Sequence, residues 1–356
     1  MKKLLVLVMV LALALPFGVF AQETYEIAMI TDTGTIDDKS FNQGTWEGIV
    51  AYAKAQDKTS NYYQPEGAST DFYLDMIEQA VNAGARIVVT PGYYFEQPIF
   101  LAQDMYPDVH FVLIDGEPND GDYSKGDPVK RTEENAVGIV YAEEQAGFLA
   151  GFAAVKDGNT KLGFMGGVPV PAVVRFGYGF VQGAEYAAKE LGLTDLVMNY
   201  HYTGGFDATP EAQALAASWY NSGVQVIFAC GGAVGNSVMA AAEAANGKVI
   251  GVDVDQSGES DTVITSSMKG LAASVEQTLD AFYNGTFPGG ELLVKDAAAD
   301  GVSLPMDTSK FETFSQDDYD AIFAKLVDGD ITLLKDTDIA SVTEIPVTTM
   351  TVSEIQ

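Results

Sequence analysis

The 356-residue chain contains 50 acidic and 19 basic side chains, which give it a formal net charge of −31. A surface this acidic repels phosphate backbones, so we do not expect the protein to bind nucleic acid. There are two histidines, His110 and His201, and neither has a partner at metal-ligand spacing. Because Cys230 is the single cysteine, no intramolecular disulfide can form, and the fold must depend on its own hydrophobic core.

The N-terminus has the pattern of a removable signal peptide. Lys2 and Lys3 precede an apolar run over residues 4–15, and Pro16 is followed by a small residue, Ala21, at the expected cleavage point. A retained membrane anchor would need about 20 apolar residues and a stop-transfer flank. We therefore expect a secreted or periplasmic protein that is cleaved near Ala21. Since no cysteine lies at that point, we expect it not to be lipid-anchored.

After the signal peptide, short apolar segments alternate with amphipathic helical patterns. The segments with the length and composition of buried strands are 26–30, 86–90, 110–114, 137–140, 161–165, 196–200, 224–228 and 248–252. The helical patterns between them are 44–56, 72–83, 95–105, 145–154, 177–191, 210–221 and 237–245. This alternation predicts right-handed βαβ units and therefore an α/β protein with mainly parallel sheets.

The pattern runs twice, once before about residue 140 and once after it, which predicts two doubly wound lobes. In such sheets ligands bind beyond the carboxyl ends of the strands. Polar residues and glycines follow these predicted strands in both halves, as in Thr31-Asp32, Asp115-Gly116, Gly166-Gly167, Gly231-Gly232 and Asp253. If the two edges face each other, they form one cleft.

Residues 31–48, TDTGTIDDKSFNQGTWEG, are the most informative segment. Asp32 comes directly after a predicted strand, where its carboxylate can accept hydrogen bonds in the cleft. Ser40 is a predicted helix N-cap, which would place Phe41 and Asn42 in the first turn at the cleft edge.

At this segment the chain resembles the basic membrane protein family of ABC-transporter substrate-binding proteins, whose best-described members are purine nucleoside receptors. The resemblance spans about residues 27–284. It continues through Ile114-Asp115, Gly166-Gly167, Arg175-Phe176 with Gly179-Phe180, Tyr202-Thr203-Gly204-Gly205-Phe206, Gly231-Gly232, Gly251-Val252-Asp253-Val254-Asp255-Gln256 and Thr265-Ser266-Ser267-Met268-Lys269.

This resemblance implies a type I periplasmic-binding-protein fold with two lobes joined by three crossovers. We expect the first lobe to contain residues 22–140 and 268–290, and the second to contain residues 141–267 and 291–356. A helix over 270–283 would then return to the first lobe, so that Lys269 lies at a hinge crossing.

The resemblance also implies a set of ligand-binding residues. Phe41 matches the family's stacking phenylalanine, and Phe206 is the candidate for the second ring, with Phe176 as an alternative. Asp32 and Asn42 would hydrogen-bond near the base, and Asp115 would read its edge. Asp253 and Lys269 match the acid and lysine that hold the ribose, with the backbone of Gly232 close by.

We therefore predict a binding protein that captures a purine nucleoside, such as guanosine, inosine or adenosine, and delivers it to a membrane permease. We expect a monomer with no catalytic site, cofactor or metal. Two alternatives remain. The ligand could be another heterocycle such as a flavin, or the chain could be a nucleoside-cleaving enzyme that uses Asp32, Asp37 and Asp38.

Overall fold

The computed structural model describes residues 24–355, so the predicted signal peptide lies outside the described residues. A first sheet of six strands has parallel pairings throughout. In spatial order its strands are β11 (Leu292–Lys295), β5 (Ala136–Tyr141), β4 (His110–Ile114), β3 (Ile87–Pro91), β1 (Ile27–Ile30) and β2 (Ser60–Tyr63). The central strands β1 and β3 are buried at every position, which is expected of a parallel sheet covered on both faces.

A second sheet of seven strands repeats this plan. In spatial order its strands are β12 (Val302–Ser303), β10 (Val263–Lys269), β9 (Lys248–Asp253), β8 (Val226–Cys230), β6 (Lys161–Gly166), β7 (Leu196–Tyr202) and β13 (Met350–Glu354). Its pairings are parallel except between β10 and β12. The predicted two-lobed α/β architecture is confirmed.

Nine α-helices lie within the described residues. They are α1 (Phe41–Ala55), α2 (Thr70–Asn82), α3 (Glu96–Met105), α4 (Glu143–Lys156), α5 (Pro171–Leu191), α6 (Pro210–Asn221), α7 (Val234–Ala245), α8 (Leu271–Tyr283) and α9 (Gln316–Val327). Among the helices between residues 24 and 355, none is both long enough and apolar enough to cross a bilayer.

The chain passes between the two sheets at three places: after β5, after β10 and after β11. The expected lobe boundaries need three corrections. Strand β5 ends at Tyr141, so residue 141 belongs to the first sheet. Strand β10 ends at Lys269, so residues 268 and 269 belong to the second sheet. Strand β11 pairs with β5, so residues 292–295 belong to the first sheet and not to the second. Between these two strands, α8 packs against α1 of the first lobe.

Helices α4 and α5 cross with unusually close backbones. A Cβ atom at Gly147 or Gly151 would lie 2.1 Å from the carbonyl oxygen of Phe176 or Phe180, respectively. From the other helix, a Cβ at Gly183 would lie 2.0 Å from the carbonyl oxygen of Phe148. Since real Cβ atoms do not approach this closely, the crossing requires glycine, and it fixes the N-terminal ends of the two helices relative to each other.

The C-terminal segment is held to α5 by buried polar contacts. The carboxylate of Glu185 accepts hydrogen bonds from the backbone and hydroxyl groups of Thr348 and Thr349 at 2.5–3.1 Å. Earlier in the same segment, the backbone of Leu334 both accepts from and donates to the side chain of Gln182 at 2.8 Å. These contacts place residues 334–349 across the second lobe, where β13 joins the sheet.

Candidate ligand-binding site

A cleft lies where the carboxyl ends of the two sheets face each other. The space between its walls is about 980 Å³, with open solvent included. All eight predicted site residues line it, together with Phe176: Asp32, Phe41, Asn42, Asp115, Phe206, Gly232, Asp253 and Lys269. The fold therefore brings together residues that are up to 237 positions apart in sequence, from Asp32 to Lys269.

Asp32 and Asn42 form one hydrogen-bonded unit on the first lobe. Asn42 Nδ2 donates to Asp32 Oδ1 at 2.9 Å, and the backbone N–H of Gly34 donates to the same oxygen at 2.7 Å. A Cβ at Gly34 would lie 2.5 Å from Asn42 Nδ2, so glycine permits this close contact. Burial raises the pKa of Asp32 to about 6, although the Gly34 and Asn42 hydrogen bonds oppose the shift.

The N-terminus of α1 is capped by Asp38, which corrects the predicted role of Ser40. Asp38 accepts hydrogen bonds from the backbone N–H groups of Ser40, Asn42 and Gln43 at 2.9–3.1 Å. Ser40 occupies the N-cap position but makes no side-chain cap. Its hydroxyl donates instead to Asp253 Oδ2 of the second lobe at 2.5 Å. This contact joins the two walls of the cleft.

Lys269 is the positive centre of the site, with its side chain 2 % exposed. Its Nζ donates to Asp115 Oδ2 and lies 3.4 Å from Glu143 Oε1 and 3.9 Å from Asp253 Oδ1. Burial by itself would lower the pKa of Lys269, but the three carboxylates outweigh burial and raise the pKa above its ordinary value. The lysine therefore stays protonated at the end of β10.

Three aromatic rings surround the same ammonium group. Lys269 Nζ lies 4.9 Å from the ring centroid of Phe41, 5.3 Å from that of Phe176 and 5.5 Å from that of Tyr141. Rings at these distances attract a cation through their negative faces. A charged group can thus be kept next to an apolar wall of the cleft.

Phe206 and Phe176 differ in how free their rings are to meet a ligand. Phe206 is half-buried in the loop after β7, and its ring covers Gly167, where a Cβ would lie 2.5 Å from Phe206 Cδ1. Phe176 is 1 % exposed, and its ring packs edge-on against Phe228 in the core of the second lobe. Both rings line the cleft, and Phe206 is the more exposed of the two.

Asp115 and Asp253 are the acids at the two strand ends. Burial raises the pKa of Asp253 to about 6, against the lowering effects of Lys269 and the Ser40 hydroxyl. In Asp115, Oδ2 accepts from Lys269, whereas Oδ1 is buried without a hydrogen-bond partner among the described residues. An unpaired carboxylate oxygen in a cleft is a ready acceptor for a ligand N–H or O–H.

Sequence reasoning missed several residues of this region. Tyr93 and Tyr94 line the cleft, with their ring centroids 4.4 Å apart. Glu143 does not line the cleft but lies behind Lys269 and is 1 % exposed. Each follows a strand of the first sheet, so the rule that selected Asp32 and Asp115 could have found them.

Two of the three aspartates proposed for an enzymatic alternative, Asp37 and Asp38, have structural roles in the loop before α1. Asp38 caps the helix, and Asp37 is exposed and accepts a 2.5 Å hydrogen bond from the hydroxyl of Thr35.

Cys230 lines the cleft, but burial raises the pKa of its thiol well above the ordinary value. Between residues 24 and 355, no cluster of His, Cys, Asp and Glu has the arrangement of a metal site.

Comparison with known proteins identifies the family. The Bmp family model, described as ABC transporter substrate-binding protein PnrA-like, matches residues 25–329. The chain belongs to the Bmp family. Members of this family are substrate-binding proteins of ABC transporters, as the sequence predicted.

Two relatives illustrate the similarity. The ABC transporter nucleoside-binding protein BmpA of Lactococcus lactis is 28 % identical over 327 residues, which cover 86 % of this chain and 88 % of that protein. Basic membrane protein A of Borreliella burgdorferi is 30 % identical over 281 residues, which cover 78 % of each chain.

Solved structures agree on the fold of this Bmp protein. An ABC transporter solute-binding protein from Aeropyrum pernix superposes with a TM-score of 0.76 at 20 % identity, covering 90 % of this chain and 95 % of that one. A periplasmic binding protein/LacI transcriptional regulator from Alkaliphilus metalliredigens, complexed with D-xylulofuranose, superposes with a TM-score of 0.56 at 15 % identity, covering 82 % and 100 %. The predicted periplasmic-binding-protein fold is confirmed.

Proposed function

We propose that this Bmp-family protein binds a purine nucleoside in the cleft between its lobes and delivers it to the permease of an ABC importer. The observation that carries the proposal is the position of Lys269, between the carboxylates of Asp115 and Asp253 and against the ring of Phe41. One pocket thus offers an aromatic surface for a flat base next to charged groups for a polyhydroxylated sugar.

The base would lie between rings from opposite lobes. Phe41 belongs to the first turn of α1, and Phe206 belongs to the loop after β7 in the second lobe. Stacking of a base on an aromatic side chain contributes about 1–3 kcal/mol and tolerates different bases. Polar groups beside Phe41 supply the recognition of the base edge: the Asp32–Asn42 unit and the unpaired Oδ1 of Asp115.

The ribose would bind to Asp253 and Lys269, with the backbone of Gly232 nearby in the cleft wall. Two adjacent hydroxyls can donate to both oxygens of one carboxylate, and the ammonium group can donate to a hydroxyl oxygen in return. The hydroxyl of Ser40 already donates to Asp253, which indicates that this carboxylate accepts from O–H groups in the cleft.

The relatives support the same ligand class and the same route. The Lactococcus lactis relative is named as a nucleoside-binding protein of an ABC transporter. For the present chain we infer export out of the cytoplasm and capture of the ligand before it reaches the permease. The predicted signal peptide agrees with that compartment.

Isothermal titration calorimetry with purified protein tests the ligand. Inosine, guanosine and adenosine are titrated in parallel with riboflavin and D-ribose, and chromatography of the mixtures checks for released base. We expect tight binding of at least one purine nucleoside and no release of base. Binding of riboflavin alone, or the appearance of free hypoxanthine, would contradict the proposal.

A further inference from the structure

Arg175 is the second member of a chain of alternating charges that leads from the surface of the second lobe to the cleft. Its Nε lies 2.6 Å from Asp336 Oδ1 in the C-terminal segment, and its Nη1 lies 3.6 Å from Glu143 Oε2. On the far side, Glu143 Oε1 lies 3.4 Å from Lys269 Nζ. The order of charges is Asp336, Arg175, Glu143 and Lys269.

The members of this chain differ in their relation to the cleft. Lys269, Asp115 and Asp253 line it, whereas Glu143 and Arg175 do not. Glu143 is therefore the one carboxylate near Lys269, among the described residues, that neutralises the ammonium group from behind. Without its charge, Lys269 would be held only by Asp115 and Asp253, the two carboxylates that also line the cleft.

We propose that Glu143 and Arg175 are positioning residues for ligand binding: Glu143 holds the ammonium group of Lys269 from behind the cleft wall, and Arg175 pairs with Glu143 on its far side. The inference rests on the nucleoside-binding function proposed above. It also assigns a role to Arg175 in the Arg175-Phe176 motif, since Arg175 does not line the cleft. Asp336 orients the guanidinium through its Nε and Nη2 groups at 2.6 and 3.3 Å.

The groups around Glu143 set the direction of its titration. They are Lys269, Asp115, Arg175 and, on its own helix, Glu144. Burial raises the pKa of Glu143 above its ordinary value, while Lys269 and Arg175 oppose the shift. Removing Arg175 therefore raises the pKa further, so that the carboxylate is protonated over a wider range of pH.

A double-mutant cycle with inosine as the probe tests this role. Arg175→Met should weaken inosine binding at pH 7 by about fivefold or more, and the loss should shrink toward pH 8.5 as Glu143 ionises again. Glu143→Gln should weaken binding by a similar factor at both pH values, and the double variant should match Glu143→Gln. Arg175→Lys should restore part of the loss, because a cation returns without the second contact to Asp336.

Arg131→Met is the matched control, because Arg131 pairs with Asp104 and Glu133 on the first lobe and does not line the cleft. It should leave inosine binding unchanged. If Arg175→Met fails to fold, Asp336→Asn tests the same chain at a side chain that is 20 % exposed. Arg175 would then pair with Glu143 alone, so the pH profile should shift in the opposite direction, toward lower pH.

Unfolding in urea gives a second readout that needs no ligand. A carboxyl group whose pKa is raised in the folded state makes the protein less stable as pH rises. The Arg175→Met variant should therefore lose more stability than wild type between pH 5 and 8. That excess should vanish when Glu143→Gln is also present. Normal inosine binding by Glu143→Gln and Arg175→Met would overturn the positioning role and leave nucleoside binding intact. Wild type that binds no nucleoside would overturn the proposed function, and the unfolding cycle would then decide whether the charge chain exists.

Discussion

Asp115 and Asp253 occupy equivalent positions in the two lobes. Each ends or follows the strand that lies third in the spatial order of its sheet, β4 in the first sheet and β9 in the second. Both have left-handed backbone conformations, with φ of 61° and 67°. Both carboxylates face Lys269, so the ammonium group lies between two matching strand ends. A non-glycine residue with positive φ is uncommon and is often found at functional sites.

The first prediction concerns the charge of Asp253. Asparagine tolerates the left-handed backbone and has nearly the same size, so Asp253→Asn removes the charge with little strain. We expect inosine affinity at pH 7.5 to fall about tenfold, because a charge-assisted hydrogen bond is lost. Since the pKa of Asp253 is about 6, wild-type affinity should also fall as pH decreases through 6, and the variant should show a flatter profile.

Protonation of Asp253 at low pH should have the opposite effect on stability, and the same substitution tests this. A raised folded-state pKa gives stability that is present at low pH and is lost as pH rises from about 4 to about 6. Asp253→Asn should therefore lose less stability over that range than wild type does. Asp300→Asn, at an exposed position with φ of 52°, is the matched control and should leave both profiles unchanged.

The second prediction separates a ligand-stacking ring from a core ring. Phe206→Ala should reduce inosine affinity by about 1–3 kcal/mol with little change in the free energy of unfolding, because the ring is half-buried in a loop. Phe176→Ala should destabilise the protein by about 3–5 kcal/mol, because the buried ring packs against Phe228. Calorimetry and urea unfolding on both variants measure the two quantities. Equal effects on unfolding would contradict the distinction.

The third prediction concerns the start of α1. Asp38→Ala should destabilise the protein by about 1–2 kcal/mol, because three backbone N–H groups lose their acceptor. Ser40→Ala should behave differently. Its hydroxyl stabilises the ionised form of Asp253, so its cost should shrink when pH is lowered from 7 to 5. A cost of Ser40→Ala that stays the same between pH 7 and pH 5 would contradict its role as a donor to Asp253.

The fourth prediction tests the close crossing of α4 and α5. Gly183→Ala should destabilise the protein by about 1–3 kcal/mol or more, because its Cβ would overlap the carbonyl oxygen of Phe148 and force the helices apart. Gly258→Ala is the matched control, since nothing lies within 4 Å of its Cβ position. The separation of the helices also positions Glu143 and Arg175, so Gly183→Ala should weaken inosine binding as well. Urea unfolding and calorimetry check both expectations.

Strand periodicity predicted the central strands, because their buried faces are rich in Val and Ile. It missed β10, whose Thr265, Ser266 and Ser267 are polar yet fully buried. The hydroxyl of Ser266 accepts from the backbone N–H of Gln256 at 3.0 Å, which lets a polar residue lie in the sheet. Hydropathy alone cannot reveal such a partner. The short edge strands β2 and β12 were missed because their few residues leave no periodic pattern.

The site was predicted where it depends on strand ends and on the family resemblance. Asp32, Asp115 and Asp253 each lie at such an end, so their sequence neighbours were sufficient to place them at one edge. The contact between Glu143 and Arg175 depends instead on how α4 crosses α5. No local sequence pattern specifies that crossing, so the contact could not be predicted from the sequence and is seen only in the folded structure.

Two edge strands, β11 and β13, come late in the sequence, and their position affects how the protein folds. Strand β11 completes the first sheet against β5, and β13 completes the second against β7. In both cases the partner lies roughly 150 residues earlier in the chain, a separation that slows folding because a long loop must close first. During synthesis, therefore, the edges of both sheets stay open until most of the chain has been made. We expect refolding of the full chain to be slow, and fragments that end before residue 292 to leave β5 exposed to association with other chains.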